Sequence, residues 1–94
     1  MLIVGLTALE ATLKKHAAAR RPVLRWVELT TAAEWNSIVD TRATFPTADA
    51  IKGTPFTCFN IGGNNYRLIT VIDYPGKSVA IFELLTHAEY DRKY

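Results

Sequence analysis

The chain has 94 residues, of which 49% are hydrophobic and 21% charged, and its formal net charge is +2. This length fits one compact domain over residues 1–94 and excludes two, and the composition excludes the high charge and low hydrophobicity of disordered chains. A single cysteine, Cys58, excludes an internal disulfide, and no Cys and His spacing matches a zinc site.

The start of the chain carries no pattern of export or membrane insertion. No apolar run reaches the roughly 18 to 20 residues of a membrane-spanning helix, and the apolar first residues lack a basic segment before they meet Glu10. We therefore expect a cytoplasmic protein that makes no membrane contact.

The positive charge is concentrated early. Residues 1–32 carry five cations against two anions, and these cations are Lys14, Lys15, Arg20, Arg21 and Arg25. Such a patch can hold a phosphate backbone or an acidic protein, and it can equally be the solvated face of a helix.

The first half of the chain has helical patterns. Thr7 and Glu10 have capping-box spacing, which predicts a first helix over about residues 7–16. An apolar stripe that includes Trp26 predicts a second helix from Ala18 to Leu29, with the arginines on its polar face.

A short third helical region follows. Thr31 and Glu34 repeat the capping-box spacing, Asn36 is a further possible cap, and Phe45-Pro46 ends the region. Trp26 and Trp35 occupy apolar helical positions and are expected in the core.

From residue 54 the pattern changes to strands. "PFTCFNI" and "YRLITVIDY" flank Gly62-Gly63-Asn64-Asn65, which predicts a hairpin, and Pro75-Gly76 introduces a third strand, "SVAIFELL". "YRLITVIDY" is apolar on both faces, so we expect it at the centre of the sheet. The order predicts an α+β fold in which N-terminal helices pack on one face of a small antiparallel sheet, the other face being open to a ligand.

His87 and Tyr90 follow the last strand. A helical turn beginning at Thr86 would put them at i and i+3, on one side, where a histidine and a neutral phenol could serve acid-base chemistry. The alternative is that Thr86 caps the turn and both side chains only pack the chain end onto the sheet.

Arg67 lies at the start of a strand that is otherwise strongly apolar. Its guanidinium suits a phosphate clamp, and a structural ion pair with Asp73, Glu83 or Asp91 is the alternative.

Other polar and aromatic residues have weaker signals. Asn64 and Asn65 could bind RNA but more commonly adopt left-handed turn geometry, and Lys77 next to the second turn could be only a solvated charge. Cys58 is expected to be a small core residue. Tyr66 and Tyr74 border the central strand, where exposed rings could stack on bases.

Several segments together resemble the HigB family of bacterial toxins. They are "LRWVELTTAAEW", "ATFPTAD", "CFNIGGNNYRLITVIDY" and "LLTHAEYDRKY", which span most of the chain in a fitting order. The resemblance implies a RelE-like fold and ribosome-dependent cleavage of messenger RNA without a metal or other cofactor. It also implies neutralisation by a helix-turn-helix antitoxin, HigA, in a heteromeric complex.

The resemblance also implies site residues. Asn60 in "FNIGGN", Arg67 in "YRL", and His87 and Tyr90 in "THAEYD" match the family segments. RNA can be cut by its own 2′-hydroxyl, so the protein supplies a proton acceptor, a proton donor and a cation. We assign Arg67 to the phosphate, His87 to acid-base work and Tyr90 to orienting or donating, with Lys77 and the helical arginines, Arg20, Arg21 and Arg25, attracting RNA.

The sequence departs from the family near this site. Relatives commonly carry an arginine five residues before the family histidine, where this chain has Phe82, followed by Glu83. Phe82 could stack a base, whereas Glu83 would repel phosphate unless paired with Arg67 or Arg92. Two alternatives to the enzyme are a catalytically weakened relative that only binds an antitoxin or the ribosome, and a generic α+β binding domain.

Overall fold

The computed structural model describes all of Met1–Tyr94 and has the predicted α+β architecture. Four α-helices and five strands form in the chain, and the strand order is β1-β5-β4-β3-β2. The strands are β1 Leu2–Val4, β2 Asp49–Ala50, β3 Thr57–Ile61, β4 Tyr66–Asp73 and β5 Ser78–Thr86. The helices are α1 Glu10–Lys15, α2 Arg20–Ala32, α3 Ile38–Thr44 and α4 His87–Lys93, with 3₁₀ turns before α1 and α2. None of the helices is both long enough and apolar enough to cross a membrane.

The sheet confirms the predicted meander and extends it. β2 to β5 are antiparallel neighbours, and β4 is the central strand as expected. The apolar start of the chain forms β1, which adds to the edge of β5 in parallel and makes the sheet mixed.

The core lies between the helices and one face of the sheet, which we call the helical face. Phe59, Leu68 and Leu84 are in register on β3, β4 and β5 and are at most 4% exposed. Trp26 packs edge-on against Phe59 at 5.4 Å between ring centroids, and Trp35 stacks on Phe59 at 6.0 Å. Both tryptophans are therefore the core residues that the sequence predicted.

Several helix boundaries differ from prediction. The Thr7–Glu10 capping box is absent, because residues 6–9 form a 3₁₀ turn that begins after Gly5. The Thr31–Glu34 box is also absent, because α2 continues through Thr31 and ends at Ala32. α3 begins only after Ser37, and its end before Phe45-Pro46 agrees with prediction.

The opposite face of the sheet, which we call the open face, is partly covered by α4. Arg67 and Glu83 alternate along their strands with the buried Leu68 and Leu84, so their side chains point to this face. Lys93, the last residue of α4, and Tyr94, which follows it, contact Glu83. The face expected to be free for a ligand is thus covered by the C-terminal helix at one end.

A β-bulge interrupts β5 on the open face. Thr70 pairs with Ile81, and the preceding residue, Ile69, pairs with Glu83, so Phe82 is an extra residue in β5. The bulge lets Phe82 and Glu83 both lie on the open face, and the residue Phe82 is 51% exposed.

Candidate active site

The start of α4 is held by a capping box at Thr86. The Thr86 hydroxyl accepts from the Glu89 N–H at 3.2 Å, and the Glu89 carboxylate accepts from the Thr86 N–H at 2.9 Å. The His87 N–H also donates to the main-chain carbonyl of Asn65 in the β3–β4 turn at 2.9 Å. These bonds fix the first turn of α4, which carries His87 and Tyr90, against the end of the hairpin.

Arg67 lies beneath this turn and contacts His87. Its side chain is buried, with the residue only 8% exposed, and its Nη2 lies 3.0 Å from His87 Nδ1. The guanidinium carbon is 5.7 Å from the centroid of the Tyr90 ring, within cation-π range. The structure therefore brings together the three residues that the sequence assigned to catalysis.

The turn residue Asn64 occupies two of the four remaining Arg67 donors. Nη1 donates to the carbonyls of Asn64 and Tyr66 at 3.1 Å each, and Nη2 donates to Asn64 Oδ1 at 2.6 Å. A guanidinium has five N–H donors, so the Nε–H alone is left without one of these bonds. None of the ion pairs expected for Arg67, with Asp73, Glu83 or Asp91, forms.

The Arg67 contact determines the tautomer of neutral His87. Because a guanidinium only donates, Nδ1 must accept, and the ring proton lies on Nε2. Nε2 is 3.6 Å from the Asp91 carboxylate, and the histidine side chain is 46% exposed. The proton-bearing nitrogen is therefore the one that solvent and a substrate can reach.

Tyr90 and Cys58 share the buried side of the cluster. Burial, followed by the neighbouring Cys58, raises the pKa of Tyr90, so its phenol is a neutral donor at neutral pH. Burial also raises the pKa of the Cys58 thiol, and the residue is 4% exposed. Cys58 is thus the small core residue that the sequence predicted.

Asn60 belongs to the same face and Lys77 does not. Asn60 is the cross-strand partner of Arg67, so both side chains point to the open face. Lys77 follows the far end of β4, about 20 Å along the strand. Its ammonium donates to the Trp35 carbonyl at 3.0 Å and also contacts Asn36.

The three arginines of α2 lie apart from the cluster. α2 buries Val23 and Trp26 against the helical face, so the exposed Arg20, Arg21 and Arg25 are on the other side of the sheet from His87. Arg25 pairs with Glu28 at 3.2 Å, but both side chains are more than two-thirds exposed, and such a pair contributes little stability.

Glu83 has a partner other than the two expected from the sequence. Lys93 Nζ lies 3.0 and 2.8 Å from the two Glu83 oxygens, and the Tyr94 hydroxyl donates to Oε2 at 2.9 Å. Burial and this carboxylate raise the pKa of Tyr94 to about 12. The carboxylate that follows Phe82 is therefore neutralised by α4, and neither Arg67 nor Arg92 pairs with it.

Two expectations about the turn and its aromatic neighbours were wrong. Gly62 and Gly63 adopt positive φ, whereas Asn64 and Asn65 do not, so the asparagines hold Arg67 and His87 instead of supplying left-handed geometry. Tyr66 and Tyr74 are partly buried against the core and do not form exposed stacking surfaces.

Sequence reasoning missed Lys93, and it did not pair Asp91 with His87 or Asn64 with Arg67. Both of these pairs had a local signal, because Asp91 follows His87 by four residues and Asn64 precedes Arg67 by three.

Comparison with known proteins assigns the family. Residues 19–93 match the HigB toxin family model, described as the RelE-like toxic component of a toxin-antitoxin system. The chain belongs to the HigB toxin family. The matched region includes Arg67, His87 and Tyr90, so the whole cluster lies within the HigB segment.

Individual relatives match over a shorter stretch. The chain is 35% identical over 51 residues to the mRNA interferase toxin HigB of Escherichia coli (strain K12) and to the mRNA interferase HigB of Shigella flexneri. Each alignment covers 53% of this chain and 49% of the relative, so the match spans about half the length of these HigB proteins.

Proposed function

We propose that the chain is the toxin of a toxin-antitoxin pair and cuts messenger RNA on the translating ribosome. The observation that carries the proposal is the contact between Arg67 Nη2 and His87 Nδ1 at 3.0 Å, next to Tyr90, within a chain of the HigB family. The names of the Escherichia coli and Shigella flexneri relatives, which describe mRNA interferases, support the choice of substrate.

The proposed chemistry uses the substrate's own nucleophile. The 2′-oxygen attacks the adjacent phosphorus, the bond from phosphorus to the 5′-oxygen breaks, and the products are a 2′,3′-cyclic phosphate and a 5′-hydroxyl. His87 handles the protons through its exposed Nε2, next to Asp91. Tyr90 donates a hydrogen bond to the reacting phosphate. The reaction as proposed uses side chains alone and no metal ion.

Arg67 supplies the positive charge for the transition state. Because four of its donors are already bound, we propose that Nη2 exchanges His87 Nδ1 for a phosphate oxygen when RNA binds. This exchange frees Nδ1 and releases the imidazole from a single tautomer, so that Nε2 can accept and return a proton.

The other residues assigned to RNA binding act beside the cut or at a distance from it. Asn60 shares the open face with Arg67 and contacts the substrate strand beside it. Arg20, Arg21, Arg25 and Lys77 lie elsewhere on the surface and attract ribosomal RNA, in a manner that weakens with added salt. The proposed resting state is a complex with a HigA-like helix-turn-helix antitoxin.

The test is cleavage of ribosome-bound messenger RNA by the purified chain, read by primer extension. We expect a rate loss of about 10²- to 10⁴-fold for His87→Ala. Arg67→Lys keeps a charge and Arg67→Ala does not, so the lysine variant should retain more activity; because Arg67 is buried, thermal unfolding of both variants must accompany the assay. An unchanged rate in folded His87→Ala and Arg67→Ala would refute the assignment.

One observation favours a binding module as the second candidate. Four of the five Arg67 donors are satisfied inside the protein, which leaves only the Nε–H free for a phosphate. A chain of this kind would bind ribosomes or an antitoxin and leave the transcript intact, and the same primer-extension assay separates the two functions.

A further inference from the structure

An aromatic row continues from the Arg67–His87 cluster across the open face. Tyr90 stacks on Tyr94 at 5.4 Å, Tyr94 meets Phe56 edge-on at 6.1 Å, and Phe56 stacks on Phe82 at 4.8 Å. The row ends at Phe82, a residue that is 51% exposed. A large apolar ring is therefore held in a defined orientation with solvent access.

The backbone is shaped to present this ring. Phe82 is the extra residue of the β5 bulge, and without the bulge the period of the strand would turn either Phe82 or Glu83 to the helical face. Phe56, the residue before β3, stacks on the ring of Phe82 and supports it. The exposure of Phe82 thus follows from a specific irregularity of the strand.

A cation lies beside the exposed ring. Lys93 Nζ is 5.7 Å from the Phe82 centroid and 5.8 Å from the Tyr94 centroid, while it also pairs with Glu83. Because this pair neutralises the carboxylate on the face, the charge that would repel a phosphate is largely cancelled.

We propose that Phe82, supported by Phe56 and flanked by Lys93, is a stacking platform for one base of single-stranded RNA. This proposal rests on the proposed function, which places the linkage to be cut at Arg67 and His87. Arg67 is two residue pairs from the bulge along β4 and β5. Every base has a π-face, and exposed aromatic rings are the usual surfaces on which proteins stack the bases of a single strand. The platform holds a neighbouring nucleotide and positions the linkage over the imidazole.

The experiment measures the affinity of the full chain for a short oligoribonucleotide made uncleavable by 2′-O-methyl groups. Phe82→Leu removes the π-face and keeps an apolar side chain, and Phe82→Tyr keeps the ring. We expect about 5- to 10-fold weaker binding by the leucine variant, at the low end of measured base stacking because the ring is half exposed. The tyrosine variant should bind like the original chain.

A scan with single abasic nucleotides identifies the stacked base. One abasic position should weaken binding by the original chain, and the same position should have no further effect on Phe82→Leu. Equal affinity and equal cleavage of ribosome-bound messenger RNA by the original chain and folded Phe82→Leu would overturn the proposal. Loss of antitoxin binding without loss of RNA affinity would also overturn it, since the patch would then be a protein interface.

His87→Ala separates this proposal from the proposed function. The variant should lose cleavage while keeping the abasic pattern that depends on Phe82, because its platform is intact. If the original chain cleaves nothing but shows the Phe82-dependent pattern, the platform stands and the nuclease fails. If it cleaves and Phe82→Leu matches it in every assay, the nuclease stands and the platform fails.

Discussion

The capping box of α4 leads to a quantitative prediction about the helix that carries His87. Thr86→Ala removes the oxygen that accepts from the Glu89 N–H at 3.2 Å. Loss of such a cap costs about 1 kcal/mol, or about a factor of 5 in an equilibrium constant. α4 has 7 residues, far fewer than the roughly 12 to 15 that an isolated helix requires. We therefore expect this loss of stability to appear as more frequent local opening of α4, while the sheet is unaffected.

Amide hydrogen exchange measured by NMR tests this expectation. The N–H of Tyr94, which bonds to the Tyr90 carbonyl at 2.9 Å, should exchange about five times faster in Thr86→Ala. Thr86→Ser keeps the hydroxyl and is the matched control. The amide of Leu68 in β4 should keep its rate in both variants. Equal Tyr94 exchange in the alanine and serine variants, or an equal acceleration at Leu68, would refute the reasoning.

The same cap should respond to pH. Hydrogen bonding to Thr86 lowers the pKa of Glu89 from its ordinary value of 4.5, and the bond from the Thr86 backbone has a larger effect than the bond with its side chain. Because this pKa is lower in the folded state, the stabilisation of α4 by the ionised Glu89 is fully present above about pH 4.5. It is lost as the pH falls through the lowered pKa. Opening of α4 should therefore increase in acid, and Glu89→Gln should remove that dependence.

Three further predictions concern other parts of the fold. Trp35→Ala should lower the free energy of unfolding by about 3 to 5 kcal/mol in a denaturant titration, because the ring is 2% exposed within the core; a loss below 1 kcal/mol would contradict the packing. In an ultraviolet titration, Tyr94 should ionise near pH 12, and its bond to Glu83 should stabilise the fold below about pH 10 and be lost as the pH rises toward 12; Tyr94→Phe should abolish the last step. Gly76→Ala should lower the thermal midpoint only slightly, because the added Cβ would meet the Asp73 carboxylate, which is exposed and can turn away at the cost of its hydrogen bond from the Gly76 N–H; a large loss would contradict this reasoning.

Sequence by itself determined the elements that depend on near neighbours. The i, i+3 spacing of Thr86 and Glu89 produces the α4 cap, and the same helical spacing places His87 and Tyr90 on one side. The doubly apolar "YRLITVIDY" correctly predicted the central strand, and the glycine pair correctly predicted the hairpin. The capping boxes at Thr7 and Thr31 failed because the same spacing also occurs inside helices and turns.

Only the tertiary structure decided how the site is assembled. The sequence suggested Arg67 as a phosphate clamp, but its contact with His87 depends on the β3–β4 turn meeting the start of α4. The pairing of Glu83 with Lys93 depends on α4 folding back over the open face, and the exposure of Phe82 depends on one extra residue in the β5 register. Cross-strand register and helix docking are set by the total packing of residues distant in sequence, and no local spacing encodes them.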